Sequence, residues 1–397
     1  MTLESSSATI SPTPAKLSDR QLENASLLMG AFGALVDVVV GLVQLRDLTP
    51  FRGSAWSSVG AIASMSAGVF AAVVCLVTLL RFGERIVPWY GKVSPVRRLI
   101  GGGGLTLMLG TLMYFAMRSF NSVVDAAFIG LQFDVWSGTA YIAGASAISG
   151  YVVSGIVGRL STALLSVLVS VFLVMGAVLS AVNTSNEFWW RVHFSQLGMT
   201  PGLAGFAFNY TLALTGLVMM TMADFLTHDM QRWLDATGQG RWKSHVVRSG
   251  IVTMGAMLSG IGLIPVTLSH RGHLIATYGA VLSFMLLAVL SPIILRQIPW
   301  AFRWVSAATL ALLALLAYLF KVAGTLGTTG FEMLAVSLAL VWMMLFIRTV
   351  VAAARDLPVT DPAPQQGDLR GDLEASNHQL TLESEKSIAG RPIEHRV

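Results

Sequence analysis

Ten long apolar runs constrain this chain more than any other feature of its sequence. Each run is about 20 residues long, which as a helix matches the ~30 Å hydrocarbon layer of a membrane. The runs are too long and too unalternating for barrel strands, and lipid offers no partner for unpaired backbone groups, so they are predicted to be helices. Only 12% of the residues are charged, about half the usual share in a soluble protein. The predicted fold is an all-α polytopic bundle, with spans at 24–45, 57–80, 98–118, 136–158, 162–182, 203–225, 248–268, 274–295, 304–321 and 331–352.

The lysines and arginines indicate how these helices are oriented. With the N-terminus inside, the inner segments hold all but six of the 26 cationic residues. Cytoplasmic segments carry such an excess, so both termini are predicted to be cytoplasmic. The net charge is +5. Because the positive residues lie at helix ends on one side, membrane topology explains them, and no nucleic-acid partner is predicted. The composition indicates a multi-pass protein of a plasma membrane, of bacterial type.

Composition also divides the chain into four regions. Residues 1–22 are a polar tail, residues 23–160 a four-helix membrane region and residues 161–355 a six-helix membrane domain. Residues 356–397 are rich in proline, glutamine and acids, so they are predicted to be a disordered cytoplasmic tail, either solvated or docking a cytoplasmic partner. The single cysteine, Cys75, can form no internal disulfide and is predicted to lie in the core. No cofactor or metal motif is present, so neither is predicted.

Small residues mark helix faces that pack closely. The fourth span carries a serine or glycine at every fourth position: Ser146, Gly150, Ser154 and Gly158. Such a stripe lets a neighbouring backbone approach, either within the chain or in a homo- or hetero-oligomer. The glycine-rich third and seventh spans indicate tight packing as well, with a hinge or a lipid groove as the alternative.

Two acids lie inside or at the end of a span. Asp37 is either a hydrogen-bonded structural acid or a proton or cation site, since a charge in hydrocarbon needs a reason. Asp224 has His228 one turn later. This spacing fits two metal ligands or an ion pair at the cytoplasmic interface, and the ion pair is favoured because no third ligand is evident.

Residues 119–135 follow span three with apolar side chains at helical spacing. This pattern predicts a short amphipathic helix on the outer leaflet, or else an extension of span four.

Polar groups gather in the outer connections of spans five to eight. The connection between spans five and six carries Trp189 and Trp190, which suit an aromatic belt. The connection between spans seven and eight is very short, so its polar side chains stay close to those spans. The predicted ligand-binding residues are Trp189, Trp190, Arg191, His193, Ser195, Asn209, Arg271 and His273. No catalytic residue is predicted. Asn209 shares a helix face with glycine and alanine, so it is expected to face a neighbouring helix.

Residues 162–350 resemble the uncharacterised bacterial membrane family known as domain of unknown function 998, which is similar in turn to the eukaryotic Frag1/DRAM/Sfk1 group. The matching residues are Ser195, Leu197, Gly198, Asn209, Gly216, the Gly262-Leu263-Ile264-Pro265 stretch and His273. The chain departs from the pattern at Gln196, Val266 and Thr267, where the family has or commonly has aspartate. The resemblance implies six spans and a role in membrane-lipid organisation, and it implies no reaction.

Three functions fit these observations. The first is binding or organisation of membrane lipid, or of another amphipathic anion, at an outer-leaflet site between helices five and eight. The second is small-solute or proton-coupled transport, which Asp37 and Asn209 favour and the absence of an evident inverted repeat opposes. The third is a membrane-embedded hydrolase or transferase using Ser195 with His193 or His273, but no acid is evident to orient either histidine.

Overall fold

Ten helices make up almost all of the computed structural model, which describes residues 18–53 and 57–356. The helices are α1 (Asp19–Gln44), α2 (Val59–Ile86), α3 (Pro95–Ala127), α4 (Val135–Gly158), α5 (Thr162–Asn183), α6 (Leu203–Ala236), α7 (Trp242–Leu263), α8 (His270–Ile294), α9 (Trp300–Lys321) and α10 (Thr328–Arg355). All ten are long and apolar enough to cross a membrane. The predicted ten-span helical architecture is confirmed within the described residues, and the protein is a multi-pass integral membrane protein.

Local sequence signals fix where the helices begin. The Ser18 side chain accepts a hydrogen bond from the Gln21 backbone, and the Gln21 side chain bonds back to Ser18, which forms a capping box at α1. Asp134 caps α4 by accepting hydrogen bonds from two backbone amides, and Ser269 caps α8. A proline occupies the first turn of α3, where its missing N–H has no cost.

The connections define two ends of the bundle. The predicted outer end carries the α1–α2, α3–α4, α5–α6, α7–α8 and α9–α10 connections, and the predicted inner end carries the other four. Two short strands, β1 (Thr49–Pro50) and β2 (Gln132–Phe133), pair antiparallel and join two connections of the predicted outer end. Helix packing is most extensive between α1 and α4, between α2 and both α3 and α4, and along the series α5 to α8, while α3 packs on α5 and α6.

The prediction of a separate amphipathic helix at residues 119–135 is wrong. Helix α3 continues without a break to Ala127, and β2 follows it. The reason is Asn121, which is buried: its Nδ2 donates to the Gly60 carbonyl at 2.6 Å and to Ser64 Oγ at 2.9 Å. Tyr141 donates to Asn121 Oδ1 at 2.5 Å. These bonds hold the last turns of α3 against α2 and α4.

The small-residue stripe of α4 packs against α1 within the chain. A methyl group placed on Gly150 would lie 2.7 Å from the Met29 carbonyl oxygen, and one on Gly33 would lie 2.8 Å from the Ser146 carbonyl oxygen. The two backbones therefore approach as the stripe predicts. This face is used inside the chain, and oligomer formation through other small-residue faces stays a prediction.

Two further expectations concern the core and the tails. Cys75 is completely buried, as predicted. The described chain forms one compact unit up to Ala354. Most of the predicted polar tail at 1–22 and nearly all of the predicted disordered tail at 356–397 lie outside the described residues.

Candidate functional site

The α5–α6 connection folds back onto the ends of the helices that it joins. Residues 188–199, here called the outer segment, contain two 3₁₀ helices, Trp189–Arg191 and Phe194–Met199. Leu197 is fully buried in a cluster with Leu173 of α5 and with Phe208 and Leu212 of α6. Partly buried Trp189 and Phe194 pack on the same cluster, as does Leu340 of α10. Three apolar side chains thus anchor a polar segment to the bundle.

Two hydrogen bonds hold the backbone of the outer segment. Asn209 Nδ2 donates to the Gly198 carbonyl oxygen at 2.9 Å. The Phe194 amide donates to Glu332 Oε2 at 2.5 Å. Asn209 was expected to bond to a neighbouring membrane helix, and its partner is instead the outer segment. Its role is therefore to position this segment.

Sequence reasoning missed Glu332. It lies near the start of α10, far along the chain from Phe194. A signal was available, because Glu332 is the only carboxylate between Asp235 and Asp356. An isolated acid at the end of an apolar run requires a partner, and the Phe194 amide supplies one.

Arg191 lies exposed on two aromatic rings. Its guanidinium carbon is 4.4 Å from the Phe188 ring centroid and 5.2 Å from that of Trp190. Both rings are more than half exposed, as are belt residues at a membrane surface. No carboxylate in the described chain forms an ion pair with Arg191. The stacked guanidinium keeps its N–H donors for an external anion.

Arg271 lies exposed in the first turn of α8, at the same end of the bundle. The described residues provide it with no carboxylate partner either. No hydrogen bond or ion pair joins it to the outer segment within the described chain. Arg191 in the α5–α6 connection and Arg271 at the start of α8 thus lie at the same end of the bundle, and neither has a carboxylate partner among the described residues.

His193 and Ser195 form a pair within the outer segment. His193 Nδ1 and Ser195 Oγ are 2.9 Å apart. The nearby acid, Glu332, accepts from the Phe194 backbone and does not contact the imidazole. A hydrolytic triad needs an acid that orients the histidine, and within the described residues none does so.

His273 stabilises the end of α7. The side chain is buried, and its Nδ1 lies 3.0 Å from the carbonyl oxygen of Ile264, the residue that caps α7. Because a carbonyl only accepts, Nδ1 carries the proton in this bond. The structure thus places His273 in the α7–α8 turn, where it satisfies a free helix-end carbonyl.

Asp37 of α1 is buried against the neighbouring helices. Its carboxylate accepts from Ser146 Oγ of α4 at 2.5 Å and bonds to Ser66 of α2. No ion pair to it is formed in the part of the chain that the structure describes. These bonds fit the structural interpretation, in which the acid ties three helices together.

Asp224 forms an ion pair at the predicted inner end, and both partners are arginines. Arg97 of α3 contacts Asp224 Oδ1 closely, and Arg248 Nε of α7 lies 3.0 Å from the same oxygen. His228 stacks on Trp89, with ring centroids 4.6 Å apart. No cluster of three metal-ligating residues occurs among the described residues. The carboxylate thus joins three helices.

A half-buried tyrosine completes the group of residues around Asp224, here called the inner cluster. The Tyr90 hydroxyl donates to the Arg97 carbonyl oxygen at 3.4 Å. Burial, and then the charge of Asp224, raises the pKa of Tyr90, so it stays neutral. The inner cluster is best explained as a structural brace.

We expect Asn209→Leu to lower the free energy of unfolding by about 1 kcal/mol, the scale of a hydrogen bond in a membrane bundle. The outer segment would lose its bond from α6 at Gly198. Asn183→Leu is the matched control, since exposed Asn183 bonds only to the Leu179 carbonyl one turn earlier. Thermal unfolding in detergent measures both variants. Equal unfolding temperatures would contradict the positioning role.

Comparisons with family models, with curated proteins and with solved structures find no match to this chain. The resemblance based on residues 195–273 therefore stays a prediction. The site has to be interpreted from its own chemistry.

Proposed function

We propose that this protein binds or organises an anionic membrane lipid, or another amphipathic anion, at the outer end of α5 to α8. The observation that carries the proposal is Arg191, an exposed guanidinium stacked on Phe188 and Trp190 without a carboxylate partner in the described chain. Phosphate and carboxylate headgroups accept two parallel hydrogen bonds from such a group. Arg271 offers a second guanidinium at the same end.

The remaining predicted residues divide by role. Trp190 is exposed and would seat the glycerol region of a lipid. His193 and Ser195 offer polar atoms beside it. Asn209, His273 and partly buried Trp189 hold the surrounding backbone and packing, so they support the site rather than contact a headgroup.

Replacing either arginine by lysine should weaken anionic-lipid retention several-fold, because an ammonium keeps the charge but loses the bidentate geometry. We expect this for Arg191→Lys and Arg271→Lys, with unchanged thermal unfolding. Arg46→Lys is the control, since Arg46 is also exposed at the predicted outer end. Native mass spectrometry with phosphatidylglycerol measures retention. Equal retention in all variants would leave the arginines as interfacial residues only.

The proposal places both termini in the cytoplasm and the outer segment outside a bacterial plasma membrane, as the charge bias favours. In a Cys75→Ala background, Ser185→Cys should react with an impermeant thiol reagent on intact cells, whereas Gln297→Cys should not. Both positions are exposed, in connections at opposite ends of the bundle. The reverse labelling pattern would invert the orientation and refute the outer-leaflet site.

Transport is the second candidate function, and the burial of Asp37 favours it. A buried acid with two hydroxyl partners also resembles a site that exchanges a proton or a small cation. Reconstituted vesicles distinguish the two functions. Solute flux that depends on pH and is abolished in Asp37→Asn would favour transport, whereas lipid retention without flux would favour the first proposal.

A further inference from the structure

A groove lies between α8 and α9, far from the outer segment. Its volume is about 630 Å³, within the range of sites that hold small ligands. Small and aliphatic side chains line most of it, including Ala288 and Ile293 of α8 and Ala307 and Leu310 of α9. A groove with such walls suits an acyl chain.

Two arginines stand at one end of this groove. Arg296 and Arg303 both line it and both are exposed. Arg303 Nη2 donates to the Arg296 carbonyl oxygen at 2.7 Å, which fixes the two residues relative to each other. Lys243 of α7 lies near enough to Arg296 for the two positive charges to repel each other. Three cationic residues therefore lie together.

Among the described residues, no acid offsets this charge. Within residues 18–53 and 57–356, none of the three cations forms an ion pair with a carboxylate. Lys243 has only an amide partner, Gln239 Oε1 at 2.7 Å. Basic pockets between membrane helices at the cytoplasmic side bind anionic headgroups. These unpaired cations therefore favour the binding of an anion at this end of the groove.

Tryptophans indicate that these charges lie at headgroup depth. Trp300 and Trp304, in the first turns of α9, are 73% and 68% exposed. Indoles on a lipid-facing surface mark the membrane–water interface. Arg303 lies between them in the chain, so its guanidinium is at the level of lipid phosphates while the groove extends into hydrocarbon.

We propose that the α8–α9 groove is a second lipid site, which takes an anionic phospholipid of the inner leaflet. Arg296 and Arg303 bind its phosphate, Lys243 adds positive potential, and one acyl chain lies along Ile293, Ala307 and Leu310. This site is at the opposite end of the bundle from the outer segment. Its inner-leaflet position rests on the membrane orientation of the proposed function, whereas its cationic residues and its groove do not.

The double variant Arg296→Gln/Arg303→Gln tests the charge. Native mass spectrometry should show about a tenfold lower occupancy by one phosphatidylglycerol molecule per protein. Retention of zwitterionic phosphatidylethanolamine should not change. Arg81→Gln is the matched control, because Arg81 is an exposed arginine near the inner end of α2, away from the groove. It should retain both lipids as the wild type does.

A second variant tests the groove without touching the charges. Ala307→Phe fills the wall that the acyl chain would occupy and should also lower phosphatidylglycerol retention. Arg296→Gln alone keeps the hydrogen bond from Arg303, whose acceptor is a backbone oxygen, so it stays informative if the double variant fails to fold. Wild-type retention in both Ala307→Phe and Arg296→Gln would overturn the proposal. Equal loss of the zwitterionic lipid would do so too, because the groove would then bind lipid without charge selection.

Discussion

Gly216→Ala should destabilise the protein strongly, by about 3 kcal/mol or more, at the upper end of the range for overpacking. A methyl group at this position would lie 2.1 Å from the Gly255 carbonyl oxygen of α7 and 2.5 Å from the Ser259 backbone nitrogen. Both contacts are with backbone atoms, so α6 and α7 would have to separate. That separation would also disturb the frame on which the outer segment rests.

Gly144→Ala provides the control for this prediction. It adds the same methyl group inside α4, where no atom lies within 4 Å. Alanine also favours helix over glycine, so the unfolding temperature should stay the same or rise slightly. Thermal unfolding in detergent compares the two. Similar stability of both variants would show that α6 and α7 do not cross at Gly216.

Asp224→Asn should cost about 2 kcal/mol of unfolding free energy. The side chain is 14% exposed and forms ion pairs with both Arg97 and Arg248. Removing its charge leaves two cations unpaired, which costs about 3–5 kcal/mol in a fully buried pair. The value here is lower, about 2 kcal/mol, because the arginine side chains are 47% and 33% exposed and solvent screens them.

The matched neutralisation is Glu84→Gln. Glu84 pairs with Arg98 at 3.4 Å, but its side chain is 72% exposed, so we expect a change below about 0.5 kcal/mol. Denaturation of both variants at several salt concentrations gives the comparison. If Asp224→Asn were as mild as Glu84→Gln, Asp224 would not brace α3, α6 and α7.

Periodic patterns in the sequence predicted the helices and their packing faces, because these depend on neighbours one turn apart. The apolar runs predicted all ten helices. The face carrying Asn209 and Gly216 was expected to meet a neighbour, and Gly262 and Gly255 of α7 meet it. Spacing along one helix is enough to find such a face.

Partners distant in the chain could not be predicted in the same way. Phe194 and Glu332 are 138 residues apart, and Arg97 and Asp224 are 127 apart. Nothing local in the sequence pairs them. The error at residues 119–135 has a similar cause, because the burial of Asn121 depends on Gly60 and Ser64 in another helix.

Cross-linking tests the outer-leaflet site most directly. The wild-type protein, reconstituted with phosphatidylglycerol that carries a photoreactive group near its headgroup, would be irradiated, digested and mapped by mass spectrometry. The site requires cross-linked peptides from residues 188–199 and from the α7–α8 connection near Arg271, with several-fold less product in Arg191→Lys. Cross-links distributed over all lipid-facing helices, with the same yield at residues 188–199 in that variant, would contradict it.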